Sequence, residues 1–257
     1  MVTFRFLNVL LLSSCGFSQT YDELKARLPE RPEFNGAMGK YLNHPGLYYE
    51  PNVESDRRLI RFNTGRSSTP YEIYTKRLDS FLAGYFGENQ ENQTNCDNIR
   101  GYRNVSDLHS NCRFDITELG QDCVKQLDYG YKYGEPCIAL HLERILNWLP
   151  EPYTIDTVPV KIRDLWTEYA VTVHCEGEDP VTKDNLGSIV LYPSDGFNFR
   201  YFPKTGLDDW QSPLVFVRLV RPNPAIALRV TCSAYAKNIK HDDMFQTENV
   251  SFDVMIN

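Results

Sequence analysis

Apolar residues recur along this chain with two periods, and the shorter one dominates its second half. Ile226, Leu228, Val230, Cys232, Ala234 and Ala236 alternate with their neighbours, the pattern of a strand with one buried face. Tyr169, Val171, Val173 and Cys175 do the same, as do Val250, Phe252, Val254 and Ile256. Ser188 to Tyr192 and Leu214 to Val220 are short β-rich runs. A further alternation begins at Cys137, setting Ile138, Leu140 and Leu142 against Ala139, His141 and Glu143. Separated by Pro and Gly turns, these runs predict a mainly β, antiparallel sandwich.

Helical spacing occurs nearer the start. Thr20-Tyr21-Asp22-Glu23 has capping-box spacing, with Leu24 and Leu28 on one face, and predicts a short helix ending before Pro29. Thr69 is placed to cap a second helix, with Pro70 at its first position and Glu72 completing the box. Tyr71, Tyr74, Leu78, Phe81, Leu82 and Tyr85 follow at helical spacing, predicting one amphipathic helix near residues 70–86 whose stripe packs on the core. Pro, Gly and Asn crowd Pro32 to Glu54, so residues 19–66 read as an extended stalk. Gly87 to Ser110 is polar and aperiodic, an exposed loop. Met1 to Ser18 carries Arg5 and a short apolar core from Phe6 to Leu12. That core is shorter than the ~20 residues of a spanning helix. It reads either as a signal peptide or as the trimmed end of a membrane anchor. The chain thus divides into residues 1–18, a stalk over 19–66 and a sandwich over 67–257.

Cysteine usage sets the compartment. Of 7 cysteines, Cys15 lies in the apolar leader, and the other six suit three disulfides whose pairing the count alone leaves open. No CxxC spacing supports a zinc ribbon or a thioredoxin-type site. Cys175 and Cys232 share the apolar phase of their strands, so both point inward, placed to pin strands across a core as in immunoglobulin-like sandwiches. Cys123 and Cys137 enclose Tyr129, Gly130, Tyr131, Tyr133, Gly134 and Pro136. The glycines there supply positive φ and the proline fixes the chain beside Cys137. Sequons at Asn92, Asn104 and Asn249 agree with an oxidising secretory route.

Composition narrows the function classes. A chain 42% hydrophobic and 24% charged is globular. A net charge of -7, without a basic stripe, gives no reason to expect nucleic acid. There is no GxSxG, no Gly-rich phosphate loop and no HExxH. His141 and Glu143 lie on the outward phase of one strand and read as a solvated face. His174 stands beside Cys175, but a disulfide-bonded cysteine is no nucleophile. Asp208-Asp209 and His241-Asp242-Asp243 read as exposed turns. The chain is expected to have no catalytic site, metal or cofactor.

Tyr129-Gly130-Tyr131-x-x-Gly134-x-Pro136-Cys137, followed by an apolar strand and the exit Trp148 to Pro150, resembles the β subunit family of the sodium/potassium-transporting and related P-type ATPases. Further matches are Pro45-Gly46-Leu47, Cys112-Arg113-Phe114, Tyr201-Phe202-Pro203, Ser212-Pro213-Leu214, Tyr235-Ala236-Lys237-Asn238-Ile239 and Phe252-x-Val254, in the family's order. Where the family commonly has Ser/Ala-Gly after the third of these six cysteines, this chain has Val124-Lys125. Where it has an aromatic run after the Tyr-Phe/Tyr-Pro motif, this chain has Lys204-Thr205-Gly206.

The resemblance implies pairing in chain order: Cys96 with Cys112, Cys123 with Cys137, Cys175 with Cys232. It implies a non-catalytic accessory subunit at the extracellular face of the plasma membrane, with the pump's α subunit as partner and neighbouring-cell glycoproteins as further contacts. A secreted or adhesion glycoprotein with the same sandwich is the alternative. It further implies that Tyr201, Phe202, Pro203 and Gly206 meet an extracellular loop of the α subunit. Pre-proline restriction holds Phe202 extended, so one ring of the Tyr201-Phe202 pair is expected in the core and the other free as an anchor.

Overall fold

The computed structural model describes residues 20–29, 45–53, 58–65, 70–143, 146–204, 210–241 and 248–257. Among these residues, and beside a small second cluster of Val158, Ile162 and Tyr235, nine strands form two sheets over a main core. They are β1 (Gly46–Glu50), β2 (Leu59–Phe62), β3 (Cys137–Glu143), β4 (Ala170–Gly177), β5 (Ser188–Tyr192), β6 (Phe197–Asn198), β7 (Leu214–Val220), β8 (Leu228–Tyr235) and β9 (Asn249–Ile256). The first sheet runs β1-β3-β7-β5 and the second β2-β9-β8-β4-β6. All pairings are antiparallel except β2 with β9, which is parallel. The mainly β sandwich is as expected, but its second sheet is mixed.

Tyr49 and Phe252, 5.2 Å apart between ring centroids, meet between the sheets. On the inner faces Leu47, Leu140, Leu142, Val215, Val217 and Leu219 oppose Val171, Val173, Leu228, Val230, Phe252 and Val254, all buried. Burying one such side chain contributes about 1.5–3 kcal/mol, so this layer carries much of the stability.

Two expected boundaries change. Residues 19–66 are not a uniform stalk, for β1 and β2 each join a sheet. Pro45 and Pro51 flank β1 and made it look like a linker, yet Leu47 and Tyr49 are core residues. Residues 20–27 are helical, and Tyr21 and Leu24 pack into the same core. The second helix spans Glu72–Leu82, so Pro70 precedes it and bridges to Asn63 instead of opening it. Its expected cap, Thr69, lies outside the described residues, as do residues 1–18. The stripe itself packs as read: Tyr74, Leu78, Leu82 and Tyr85 are buried.

His141 and Glu143 were expected on a solvated face, and His141 is not there. The Glu72–Leu82 helix covers that side of β3, leaving His141 8% exposed between the rings of Tyr48 and Phe81. Burial pushes its imidazole down to about 4. Glu143 stays exposed and approaches His141 Nδ1 at 3.5 Å.

Candidate functional site

Three disulfides join Cys96 to Cys112, Cys123 to Cys137 and Cys175 to Cys232. The last is not a pin between sheets. Cys175 and Cys232 are direct partners on neighbouring β4 and β8, with Cα atoms 4.0 Å apart. Alternation had fixed which face they share, but not which strands are neighbours.

The Cys123–Cys137 unit is a turn of left-handed residues. Asp128, Tyr129 and Gly130 have φ of 49, 50 and 79°, and Gly134 has 70°. A Cβ on Gly130 would sit 2.0 Å from the carbonyl oxygen of Glu135, so only glycine fits there. The two non-glycine residues are held by the helix beneath. Tyr129 OH donates to Asp79 Oδ1 at 2.7 Å, and Lys125 pairs with Asp79 at 2.9 Å. On the other side, Arg218 reaches Asp122 and Glu135, both at 2.5 Å, bracketing the disulfide.

The Cys96–Cys112 loop is less open than its polar sequence suggested. Asn92 and Asn104 are exposed, but Gln90, Tyr102 and Arg103 are buried. Gln90 Nε2 donates to the carbonyls of Tyr85 (2.6 Å) and Phe114 (3.1 Å), and its Oε1 accepts from Phe114 N at 2.8 Å. Arg103, 1% exposed, donates to the carbonyls of Asp107, Ser110 and Pro203. Burial lowers its guanidinium to about 10, with the Asp107 carboxylate opposing the shift.

Pro203 belongs to the segment expected to meet a partner. Asn198 Oδ1 accepts from Arg200 N at 3.0 Å and caps a 3-10 turn over Phe199–Tyr201, after which Phe202 is extended. The turn breaks the alternation expected of this stretch, and both rings point inward. Tyr201 is 2% exposed and lies 5.4 Å from Phe114; Phe202 is fully buried and meets Trp148 edge-on at 5.4 Å. Neither is a free anchor. Arg200 caps Tyr201 from outside, pairing with Glu118 and donating to the Tyr201 hydroxyl at 2.9 Å, while Tyr201 OH donates to Glu118 at 3.1 Å. Burial holds the Glu118 carboxyl above its usual range, with Arg200 pulling it back. Gly206 lies outside the described residues. What remains at the surface is the exit of the segment: half-buried Lys204, whose ammonium sits 5.0 Å over the Trp210 ring, beside Leu146.

Asn249 is half-buried at the start of β9, its amide donating to Glu248 at 3.3 Å. Among the described residues no His, Cys, Asp and Glu cluster is arranged to hold a metal, and no helix is long and apolar enough to cross a membrane.

A two-sheet sandwich stapled by three disulfides, with exposed sequons beside one of them, defines a disulfide-built scaffold among the described residues. Comparison with known proteins gives the family. A family model for the sodium / potassium ATPase beta chain matches residues 17–253. A "Probable sodium/potassium-transporting ATPase subunit beta-3" of Caenorhabditis briggsae is 30% identical over 237 residues, covering 91% of this chain and 72% of the relative. The "Sodium/potassium-transporting ATPase subunit beta-2" of Drosophila melanogaster is 31% identical over 271 residues, covering 93% and 77%. The human beta-2 subunit is 26% identical over 215 residues, covering 79% and 68%. The chain belongs to the sodium/potassium ATPase beta chain family, a family of non-catalytic, membrane-associated accessory subunits.

Proposed function

We propose that this chain assembles with the catalytic α chain of a sodium/potassium-transporting P-type ATPase and presents its sandwich at the extracellular face of the plasma membrane. There it assists folding and delivery of the α chain and tunes its transport of potassium and sodium. The observation that carries this reading is the family match over residues 17–253. The buried disulfides and outward Asn92 and Asn104 support the extracellular side. No observation favours a free secreted or adhesion glycoprotein, and the reading does not extend to partners on neighbouring cells. The α contact is assigned to the exit of the Arg200–Pro203 segment, through Lys204 and its surroundings rather than the Tyr201 and Phe202 rings.

Affinity capture of the tagged full chain from solubilised membranes tests the proposal. Recovery of a P-type ATPase α chain in near-stoichiometric amount is expected; capture of intact, disulfide-bonded chain without it would refute the proposal. In the same preparation, glycosidase treatment should remove two mass steps that are absent from an Asn92→Gln, Asn104→Gln variant. An untreated gel mobility unaffected by that double substitution would rule out glycans at both sites.

A further inference from the structure

Two arginines lie between the Cys96–Cys112 loop and the exit of the Arg200–Pro203 segment, and they reach in opposite directions. Arg103, from the loop, donates to the Pro203 carbonyl at 2.7 Å while its other terminal nitrogen gathers the Asp107 and Ser110 carbonyls. Arg200, from the segment, donates back to the loop carbonyls of Asp97 (3.4 Å) and Ile99 (3.3 Å) and pairs with Glu118. Both are buried, at 1% and 8% exposure. A buried guanidinium is costly unless its donors are satisfied, and a hydrophobic residue would fill such a volume at no electrostatic cost. What the fork offers instead is geometry: one planar group fixes several carbonyls in defined directions. One residue further on, the Lys204 carbonyl accepts from Asn147 N at 3.0 Å. Two successive carbonyls at the exit are therefore fixed by donors from two separate stretches of the chain. Their direction sets where the Lys204 side chain emerges beside Trp210.

We propose that Arg103 and Arg200 are positioning residues for the α-chain contact, locking the Cys96–Cys112 loop and the exit at Pro203 and Lys204 into one rigid block. This rests on the contact assigned above. The sequon-bearing loop then acts on partner binding without touching the partner, because displacing it releases the Pro203 carbonyl and lets the exit turn.

The test is capture of the α chain by the full chain in membranes, measured against melting temperature. Arg103→Met removes the fork, and Arg103→Lys keeps the charge but cannot span the Pro203 and Ser110 carbonyls together. Val217→Ala, in the core of β7 between Ile138 and Leu191 and outside the hydrogen bonds of the clamp, serves as the stability control. Both Arg103 variants are expected to weaken capture about tenfold, equivalent to about 1.4 kcal/mol, while Val217→Ala lowers the melting temperature at least as much and keeps parental capture. Should Arg103→Met fail to fold, Arg103→Lys carries the comparison. Capture that simply follows melting temperature across all variants, or stays parental in the Arg103 variants, overturns the proposal. Lys204→Glu separates the two readings. If it captures like the parent, the contact assignment fails and the positioning role fails with it. If it loses capture while the Arg103 variants keep it, the positioning role alone fails.

Discussion

The two sheets use the same strand chemistry under different cover. In the first sheet β3 is buried at every residue but its last, and β7 at all but Arg218 and Val220. Its outer face lies under the Glu72–Leu82 helix and the turns of Lys125–Tyr133, where Tyr129 meets Phe216 at 6.3 Å. In the second sheet β9 alternates. Phe252, Val254 and Ile256 are buried, while Ser251, Asp253 and Met255 are half-exposed, joined by a Thr231–Ser251 hydrogen bond (2.8 Å) and an Arg229–Asp253 pair (3.0 Å). The first sheet is a middle layer, while the second is an outer wall along β9 and is covered only towards β4 and the end of β8, where Val158 and Ile162 pack on Tyr235. A substitution's cost should therefore depend on which sheet carries it, even at outward positions.

The largest contrast is expected there. Phe216→Ala, outward on β7, should cost about 3–5 kcal/mol, whereas Ser251→Ala, outward on β9, should cost less than about 1 kcal/mol. Denaturant midpoints measure both, and a small loss at Phe216 would break the two-layer account. Replacing Cys175 and Cys232 together by Ala should remove about 4 kcal/mol in the loop-entropy model, against about 3 kcal/mol for either shorter loop. Equal losses in all three would show that native packing, not loop length, sets their worth.

Acid should also weaken the covered layer. The folded pKa of His141, about 4, lies below the ordinary 6.5 of the unfolded chain, so the unfolded state binds its proton first. The stabilisation is complete above pH 6.5 and is lost as pH falls towards 4, by up to about 3 kcal/mol. His174, behind the second sheet, is also lowered by burial and by Lys161, with Glu176 opposing. Unfolding curves at pH 7.5 and 4.5 should converge by most of that amount in His141→Phe and by little in His174→Phe. Equal convergence would mean that both histidines are alike in solvent access. A smaller loss than these is expected from Tyr129→Phe, which deletes one hydroxyl bond to Asp79 and should cost about 1–2 kcal/mol. No loss would mean that the hydroxyl bond does not hold the left-handed turn, which then rests on Gly130, the disulfide and the Lys125–Asp79 pair.

The same contrast decided what the sequence made legible. Strands β8 and β9 announced themselves because an outer wall needs polar residues on alternate positions. β1 and β2 gave no such signal. Tyr48 is covered by His141, and β2 is four residues long, so prolines and charges around them dominated the pattern. Burial of His141 was hidden because helix cover comes from residues about sixty positions away in sequence. Burial of Arg103, in a loop read as exposed, was hidden for a related reason: its solvation is replaced by carbonyls such as that of Pro203, which only the fold brings near. The cysteine phase was readable, but the neighbour relation of β4 and β8 needed the topology. In the Tyr201-Phe202 pair, a local 3-10 turn overrode the alternation that extended geometry would have imposed.

The parallel pairing of β2 with β9 has a consequence for biosynthesis. β9 lies between β2 and β8, and every other described strand precedes it in the chain. All four strands of the first sheet leave the ribosome before Asn249 does, so that layer can assemble during translation. β2 cannot: it emerges early and must wait for a partner synthesised almost two hundred residues later. Until then Ile60 and Phe62 have no sheet to join, and a nascent chain stalled short of β9 displays them to the chaperones of its compartment.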